Sequence, residues 1–235
     1  MSDNFFIQKT TYQFYRDNLL EGFTGKGVKM RFSRNDIIEP SGFAADNIYM
    51  ISSGYISQRL TDQAGSSRTL FILGPGNLFN EVTFLNMDTN CVTSIAQTNV
   101  ELIKMDVSTF NKITENNPDL QKYISLQIAF KLRIIMAQYY DLSFNQVERR
   151  LRNTLVRLCV QVGEITDEGI ILPFVLTHDD LAQMISSTRS TVSRLMKKLS
   201  DNSEIEYRKR KILVTKSFRE KDYFQLTDSG SPIAK

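Results

Sequence analysis

The chain has one histidine, two cysteines and no tryptophan among 235 residues, and these scarcities exclude whole classes of chemistry. A Ser–His or Cys–His arrangement would have to use His178, so no catalytic constellation is expected and the chain does not read as an enzyme. An iron–sulfur cluster needs about four cysteines. Here there are only Cys91 and Cys159, far apart and each in a segment that reads as buried, so neither a disulfide framework nor a zinc site is indicated. Haem would need axial ligands, and the one histidine, His178, opens a short helix in the C-terminal part of the chain. No cofactor and no metal site is evident, and Cys91 is expected to be a structural cysteine, with single-thiol redox sensing as the alternative. No apolar run approaches the length that spans a bilayer, and the first residues lack a signal-peptide pattern; a cytoplasmic protein with no membrane partner is the expectation.

The most informative segment runs from Leu176 to Leu199. Thr177 can cap a short helix with Asp179 and Asp180 in its first turn, where free N–H groups favour negative charge. Leu181, Ala182 and Ile185 share one face of it. After Ser186-Ser187-Thr188, Val192, Leu195, Met196 and Leu199 recur at steps of three and four on a second helix. Its other face carries Arg189, Ser190, Ser193, Arg194 and Lys197, with Thr188 and Thr191 at its start. This is the layout of a helix-turn-helix, whose second helix enters the major groove of double-stranded DNA. Downstream, Ile205–Val214 reads as a β-hairpin with four consecutive cations, Arg208 to Lys211, at its turn. Such a wing can set Lys209 and Arg210 against phosphates. His178, at the start of the first helix, is expected to meet solvent or a phosphate. Charge agrees: residues 145–235 hold 16 Lys/Arg against 12 Asp/Glu, whereas residues 1–144 hold 13 against 14.

Upstream, residues 28–106 are β-rich. Strands are expected over 28–32, 37–39, 48–52, 55–60, 69–73, 91–96 and 101–105, separated by Gly, Pro, Asn and Ser turns; a sandwich or jelly-roll barrel accounts for them. Residues 78–85 could form a short helical turn. One long helix is expected over 118–142, with Pro118 in its first turn. It is apolar on two faces: Leu120, Ile124, Ile128, Leu132, Ile135, Tyr139 and Leu142 on one, Tyr123, Leu126, Phe130, Ile134 and Tyr140 on the other. Both must be buried, one against the barrel and one against a twin helix in a two-fold dimer. Residues 141–145 read as a hinge. A helix over 146–162 follows, with Arg149, Arg150, Arg152 and Arg157 mostly outward.

This order of parts resembles the cAMP receptor protein/FNR (CRP/FNR) family of bacterial transcription regulators. The matching stretches are Ile48–Ile56, Leu70–Glu81, Val147–Leu158 and Ser187–Leu195. The resemblance implies an α+β fold: an effector-sensing, cyclic-nucleotide-binding-like β jelly-roll barrel over 1–117, a dimerisation helix and hinge over 118–144, and a winged helix-turn-helix over 145–235. It implies a homodimer joined through residues 118–142, an inverted-repeat operator with half-sites about one helical turn apart, and RNA polymerase as a partner. Arg189, Ser190 and Arg194 match the positions that read base edges. Many relatives carry Glu where Ser190 stands, so the operator should differ there.

The implied effector pocket departs from the cyclic-nucleotide pattern. The Gly-Glu pair that binds ribose is Asn80-Glu81 here, and residues 86–98 contain no Arg or Lys to neutralise a cyclic phosphate. Burying an uncompensated phosphate is costly, so a non-cAMP effector is expected, near Phe79, Asn80, Glu81, Val82 and Thr93, with Arg133 as the cation on the helix. The alternatives are a cyclic-nucleotide-responsive module and a constitutively active regulator with no ligand.

Overall fold

A computed structural model of the chain describes Phe23 and residues 25–44, 46–115 and 117–218. The outer limits of the expected first and third domains, residues 1–22 and 219–235, lie outside the described residues. The chain divides into two compact units between Ala137 and Gln138.

The first unit is built from eight strands: β1 (Val28–Phe32), β2 (Ile37–Glu39), β3 (Asn47–Ser53), β4 (Ile56–Thr61), β5 (Ser67–Leu73), β6 (Leu78–Phe79), β7 (Thr93–Ala96) and β8 (Val100–Asp106). They pair antiparallel into two four-stranded sheets of order β1-β8-β3-β6 and β2-β7-β4-β5. One core contains Tyr49, Ile51, Phe79 and Leu102 from the first sheet together with Ile38, Ile56, Phe71 and Leu73 from the second. A second core gathers the alternate residues of β3 and β8, namely Ile48, Met50, Ile103 and Met105, under Phe110, Leu120 and Tyr123. With both faces of β3 covered, its apolar residues run on without alternation. At the β3–β4 turn, Gly54 adopts φ +81°, and a Cβ there would stand 2.2 Å from the Asn99 carbonyl oxygen.

Two expectations are corrected in this unit. Residues 78–85 are not one helical turn: β6 comes first, then, after Asn80 at φ 70°, helix α1 (Glu81–Asn86). The strand expected from Cys91 starts at Thr93, and Cys91 is exposed. Helix α2 (Val107–Glu115) begins beside Asp106, whose carboxylate accepts from the Thr109 amide and from the Ser108 and Thr109 hydroxyls. Those bonds, Ser108's foremost, hold its pKa well below the usual carboxylate range.

Helix α3 spans Pro118–Phe144. Its most buried positions are Leu120, Tyr123, Gln127, Lys131, Ile134 and Asp141. That stripe is partly polar, unlike the wholly apolar pair of faces expected from the periodicity. From Leu132 onward the other apolar face, Leu132, Ile135, Tyr139 and Leu142, is exposed.

The second unit holds α4 (Val147–Val162), a hairpin of β9 (Glu164–Thr166) and β10 (Gly169–Ile171), then α5 (His178–Ile185), α6 (Arg189–Asp201), β11 (Ile205–Arg208) and β12 (Lys211–Thr215). The strands form one sheet, β11-β12-β10-β9. The amphipathic spacing read from the sequence holds here: Leu151, Leu155, Leu158 and Val162 of α4, Leu181, Ala182 and Ile185 of α5, and Val192, Leu195, Met196 and Leu199 of α6 are all buried.

Of the residues read as a hinge, 141–144 are helical, and only Asn145 and Gln146 separate α3 from α4. Asp141, 3 % exposed, accepts from Arg157, which is 4 % exposed and does not face outward as expected. Asn153 and Asn145 donate to the other carboxylate oxygen, at 2.6 and 2.8 Å, and Thr154 accepts from the guanidinium at 2.7 Å. A second arginine of α4, Arg152, forms a forked bond to the buried Glu204 just before β11. That bond is the main reason its pKa lies above the ordinary arginine value.

A buried carboxylate cannot lose its only guanidinium cheaply. Arg157→Ala is expected to lower unfolding free energy by about 3–5 kcal/mol, the range for stranding one member of a buried pair. Chemical denaturation of the full chain measures it, and a loss below about 1 kcal/mol would show that the pair contributes no more than a surface one.

Candidate nucleic-acid interface

Helix α5 starts on a reciprocal cap. The Thr177 hydroxyl accepts from the Asp180 amide at 3.1 Å, and the Asp180 carboxylate accepts from the Thr177 amide at 2.9 Å. Such a box satisfies two otherwise free amides and fixes the first turn. Helix α6 is capped by Thr188, whose hydroxyl accepts from the Thr191 amide at 3.2 Å. The Ser190 and Thr191 hydroxyls lie 3.0 and 2.9 Å from the same Thr188 oxygen. Between the helices Ser186 turns at φ 55°.

The side chains expected to face DNA fall into three groups. Thr188, Arg189, Ser190, Arg194 and Lys197 are exposed along α6, with Arg189 held 3.7 Å from Asp179. Lys209 and Arg210 are exposed at the wing tip, where both adopt positive φ, 49° and 67°. The third group is turned inward. Ser193 is half-buried, with its hydroxyl 2.6 Å from His178 Nδ1, while Nε2 of the same ring stands 3.3 Å from the Tyr207 hydroxyl. His178 therefore has two hydroxyl partners inside the fold, which local sequence pattern did not indicate. Burial keeps the Tyr207 phenol above its ordinary pKa, so it stays a neutral hydroxyl.

Of the four cations in the wing run, Arg208 is already engaged: its guanidinium donates to Glu206 and pairs with Glu168, each at 2.8 Å. An open cleft of about 610 Å³ lies between α6 and the wing, with Arg189, Lys197 and Arg210 among its walls and His178, Ser193 and Tyr207 also lining it. Backbone geometry, cations and hydroxyls in this arrangement suit a polyanion's backbone beside an accessible helix face.

In the barrel, the expected effector residues differ in burial and in partners. Phe79 is fully buried and stacks on Tyr49, with ring centroids 4.8 Å apart. Asn80 and Asn90 are both buried and bond to one another at 3.3 Å. Thr93 is tied to Ser41. Val82 and Arg133 are exposed. The cation that meets Glu81 is Lys131, two residues before the one expected. Its ammonium donates to the Glu81 carboxylate at 2.6 Å and to the Leu78 carbonyl at 2.9 Å. Gln127 and Tyr123 continue the ladder along α3: Gln127 bonds the Leu78 amide and the Gly76 carbonyl, and Tyr123 donates to Gly76. The signal for these residues was present in the 123–127–131 spacing, masked by reading that face as apolar throughout.

Among the described residues no cluster of His, Cys, Asp and Glu is placed to hold a metal ion, and no helix is long and apolar enough to cross a membrane.

Residues 29–117 match the Cyclic nucleotide-binding domain family, and residues 149–217 match the Crp-like helix-turn-helix domain family. The chain is 27 % identical over 187 residues to the global nitrogen regulator of a Nostoc species, covering 79 % of this chain and 84 % of that one. It is 21 % identical over 217 residues to a CRP-like cAMP-activated global transcriptional regulator of Mycobacterium tuberculosis, covering 92 % and 97 %. In fold it is similar to the c-di-GMP responsive global regulator CLP of Xanthomonas campestris, with a TM-score of 0.69, 19 % identity and coverage of 85 % and 99 %. These relatives are transcription regulators rather than enzymes. With a sensor-type barrel and a Crp-like helix-turn-helix matched in that order, and such regulators aligned along most of its length, the chain belongs to the CRP/FNR family of transcription regulators.

Proposed function

We propose that this chain is a homodimeric, sequence-specific DNA-binding regulator, with an effector-type barrel over residues 1–117, a dimerisation helix and junction over 118–144 and a DNA-binding domain over 145–235. The observation that carries the reading is the shared cleft of Arg189 and Lys197 from α6 with Arg210 from the wing. Arg189 and Arg194 are assigned to guanine edges, where a guanidinium can donate to O6 and N7 together. Ser190 and Thr191 are assigned to the same groove, and Thr188, Lys197, Lys209 and Arg210 to phosphates. The dimer is supported by Leu132, Ile135, Tyr139 and Leu142, exposed along α3 at steps of three and four, the spacing of a coiled-coil seam. Two-fold symmetry makes the operator an inverted repeat. The regulator acts where the chromosome is, in the cytoplasm, and through RNA polymerase.

For the barrel we propose control by something other than cAMP, although relatives named for cAMP activation align with it. Glu81 is spoken for by Lys131, and the 86–98 segment supplies no cation. One observation favours a second reading, a barrel with no ligand: the carboxylate and the Asn80–Asn90 amides find partners within the chain itself.

Selection from a randomised duplex pool is expected to enrich an inverted repeat. Arg189→Ala and Arg194→Ala should each remove about 1–3 kcal/mol of discrimination at one base pair of the half-site; unchanged selectivity in both would contradict their assignment. Sedimentation should show the wild-type chain as a dimer and Ile135→Asp as a folded monomer, and a monomeric wild type would remove the seam. Calorimetry with cAMP should show no heat, so micromolar binding would overturn the argument from Glu81 and Lys131.

A further inference from the structure

In the DNA-binding unit, the imidazole of His178 lies within hydrogen-bond reach of both the recognition helix and the wing. It stands at the first position of α5, held there by the Thr177–Asp180 capping box. From that anchor Nδ1 reaches the α6 hydroxyl of Ser193 at 2.6 Å, and Nε2 reaches the wing hydroxyl of Tyr207 at 3.3 Å. All three line the cleft that Arg189, Lys197 and Arg210 also border. A neutral imidazole carries one donor and one acceptor nitrogen, and a hydroxyl can play either part. The three groups therefore satisfy one another without an external ligand. Ser193 is half-buried, and its hydroxyl is engaged by this bond in the free chain.

We propose that His178 is a positioning residue for DNA recognition, a bracket that fixes the wing relative to the recognition helix through Tyr207 and Ser193. It touches neither base nor phosphate. Its effect is to keep Lys209 and Arg210 within reach of the backbone while α6 occupies the groove. The inference rests on the DNA-binding reading above and assigns a role within it. A bracket of two hydrogen bonds matters because the wing hairpin lies at one side of the four-stranded sheet, with β11 as its edge strand and a turn of exposed cations at its tip. Without a fixed angle its phosphate contacts would have to be ordered on binding, at a cost in affinity.

His178 is the only histidine of the chain, so its ring nitrogens give a single unambiguous pair of 15N resonances. In the free protein, Ser193→Ala is expected to move the Nδ1 resonance and Tyr207→Phe the Nε2 resonance; no movement in either variant overturns the bracket. With the duplex enriched by the wild-type chain, His178→Ala should weaken binding about ten-fold, the order expected for losing two hydrogen bonds. In backbone footprints it should lose the wing's protections and keep those of the recognition helix. Tyr207→Phe, which deletes one oxygen from a half-exposed ring, should lose the same protections and should add nothing to His178→Ala in the double variant. It keeps the test decisive if His178→Ala does not fold. Unchanged wing protections in Tyr207→Phe would overturn the proposal. So would a uniform weakening in His178→Ala with the salt dependence reduced by about one phosphate contact, which marks direct contact instead. If the wild-type chain enriches and protects no duplex, the DNA-binding reading itself falls and the bracket's role with it, an outcome distinct from altered resonances with intact footprints.

Discussion

Buried charge on the long helix α3 constrains the local packing within each unit. A lysine or aspartate removed from water must meet an opposite charge with its remaining valences satisfied, or the fold loses several kcal/mol. In the first unit Lys131 meets this demand with Glu81 and the Leu78 carbonyl. That fixes the β6–α1 segment, which in turn is bonded through Gln127 and Tyr123 to the same helix. In the second unit Asp141 does so with Arg157, Asn153 and Asn145. The end of α3 is thereby registered on α4.

The same constraint explains what was legible in the sequence. Elements whose buried face is purely apolar were readable almost to the residue: α5 and α6 follow from Leu181, Ala182, Ile185 and from Val192, Leu195, Met196, Leu199, and β1 and β2 from their turns. Capping chemistry is equally local, which is why Thr177 announced the start of α5. Positions whose burial depends on a distant partner were not readable. Lys131 has no local signal of burial, because its acceptor Glu81 lies 50 positions away in the chain. Arg157 looked outward because Asp141 was read as part of a hinge, its carboxylate and the weak helix formers Ser143 and Asn145 suggesting a break. Cys91 reversed the error: an apolar-looking strand start proved to be exposed loop. His178 was visible as a lone residue, but its two partners sit 15 and 29 positions on, across elements whose packing no local pattern specifies.

In the DNA-binding unit, function is separated by residue type. Guanidinium and ammonium groups at Arg189, Arg194, Lys197, Lys209 and Arg210 remain at the surface, whereas the Ser193 hydroxyl is bonded within the fold to His178. Arg208, although in the middle of the basic run, is neutralised by Glu206 and Glu168 and braces the hairpin. A count of cations would have weighted all four equally.

The wing tip has one further consequence. A two-residue hairpin turn with both residues left-handed is ordinarily made by Asn-Gly or a similar pair; here Lys209 and Arg210 occupy it at φ 49° and 67°. Each side chain opposes that conformation by roughly 1–2 kcal/mol, so the hairpin is less stable than its length and register permit. Substitution toward easier turn residues would therefore harden the protein against heat and denaturant while discharging its tip. Laboratory selection for thermal robustness alone would drift in that direction, trading away grip on a polyanion for a more rigid fold.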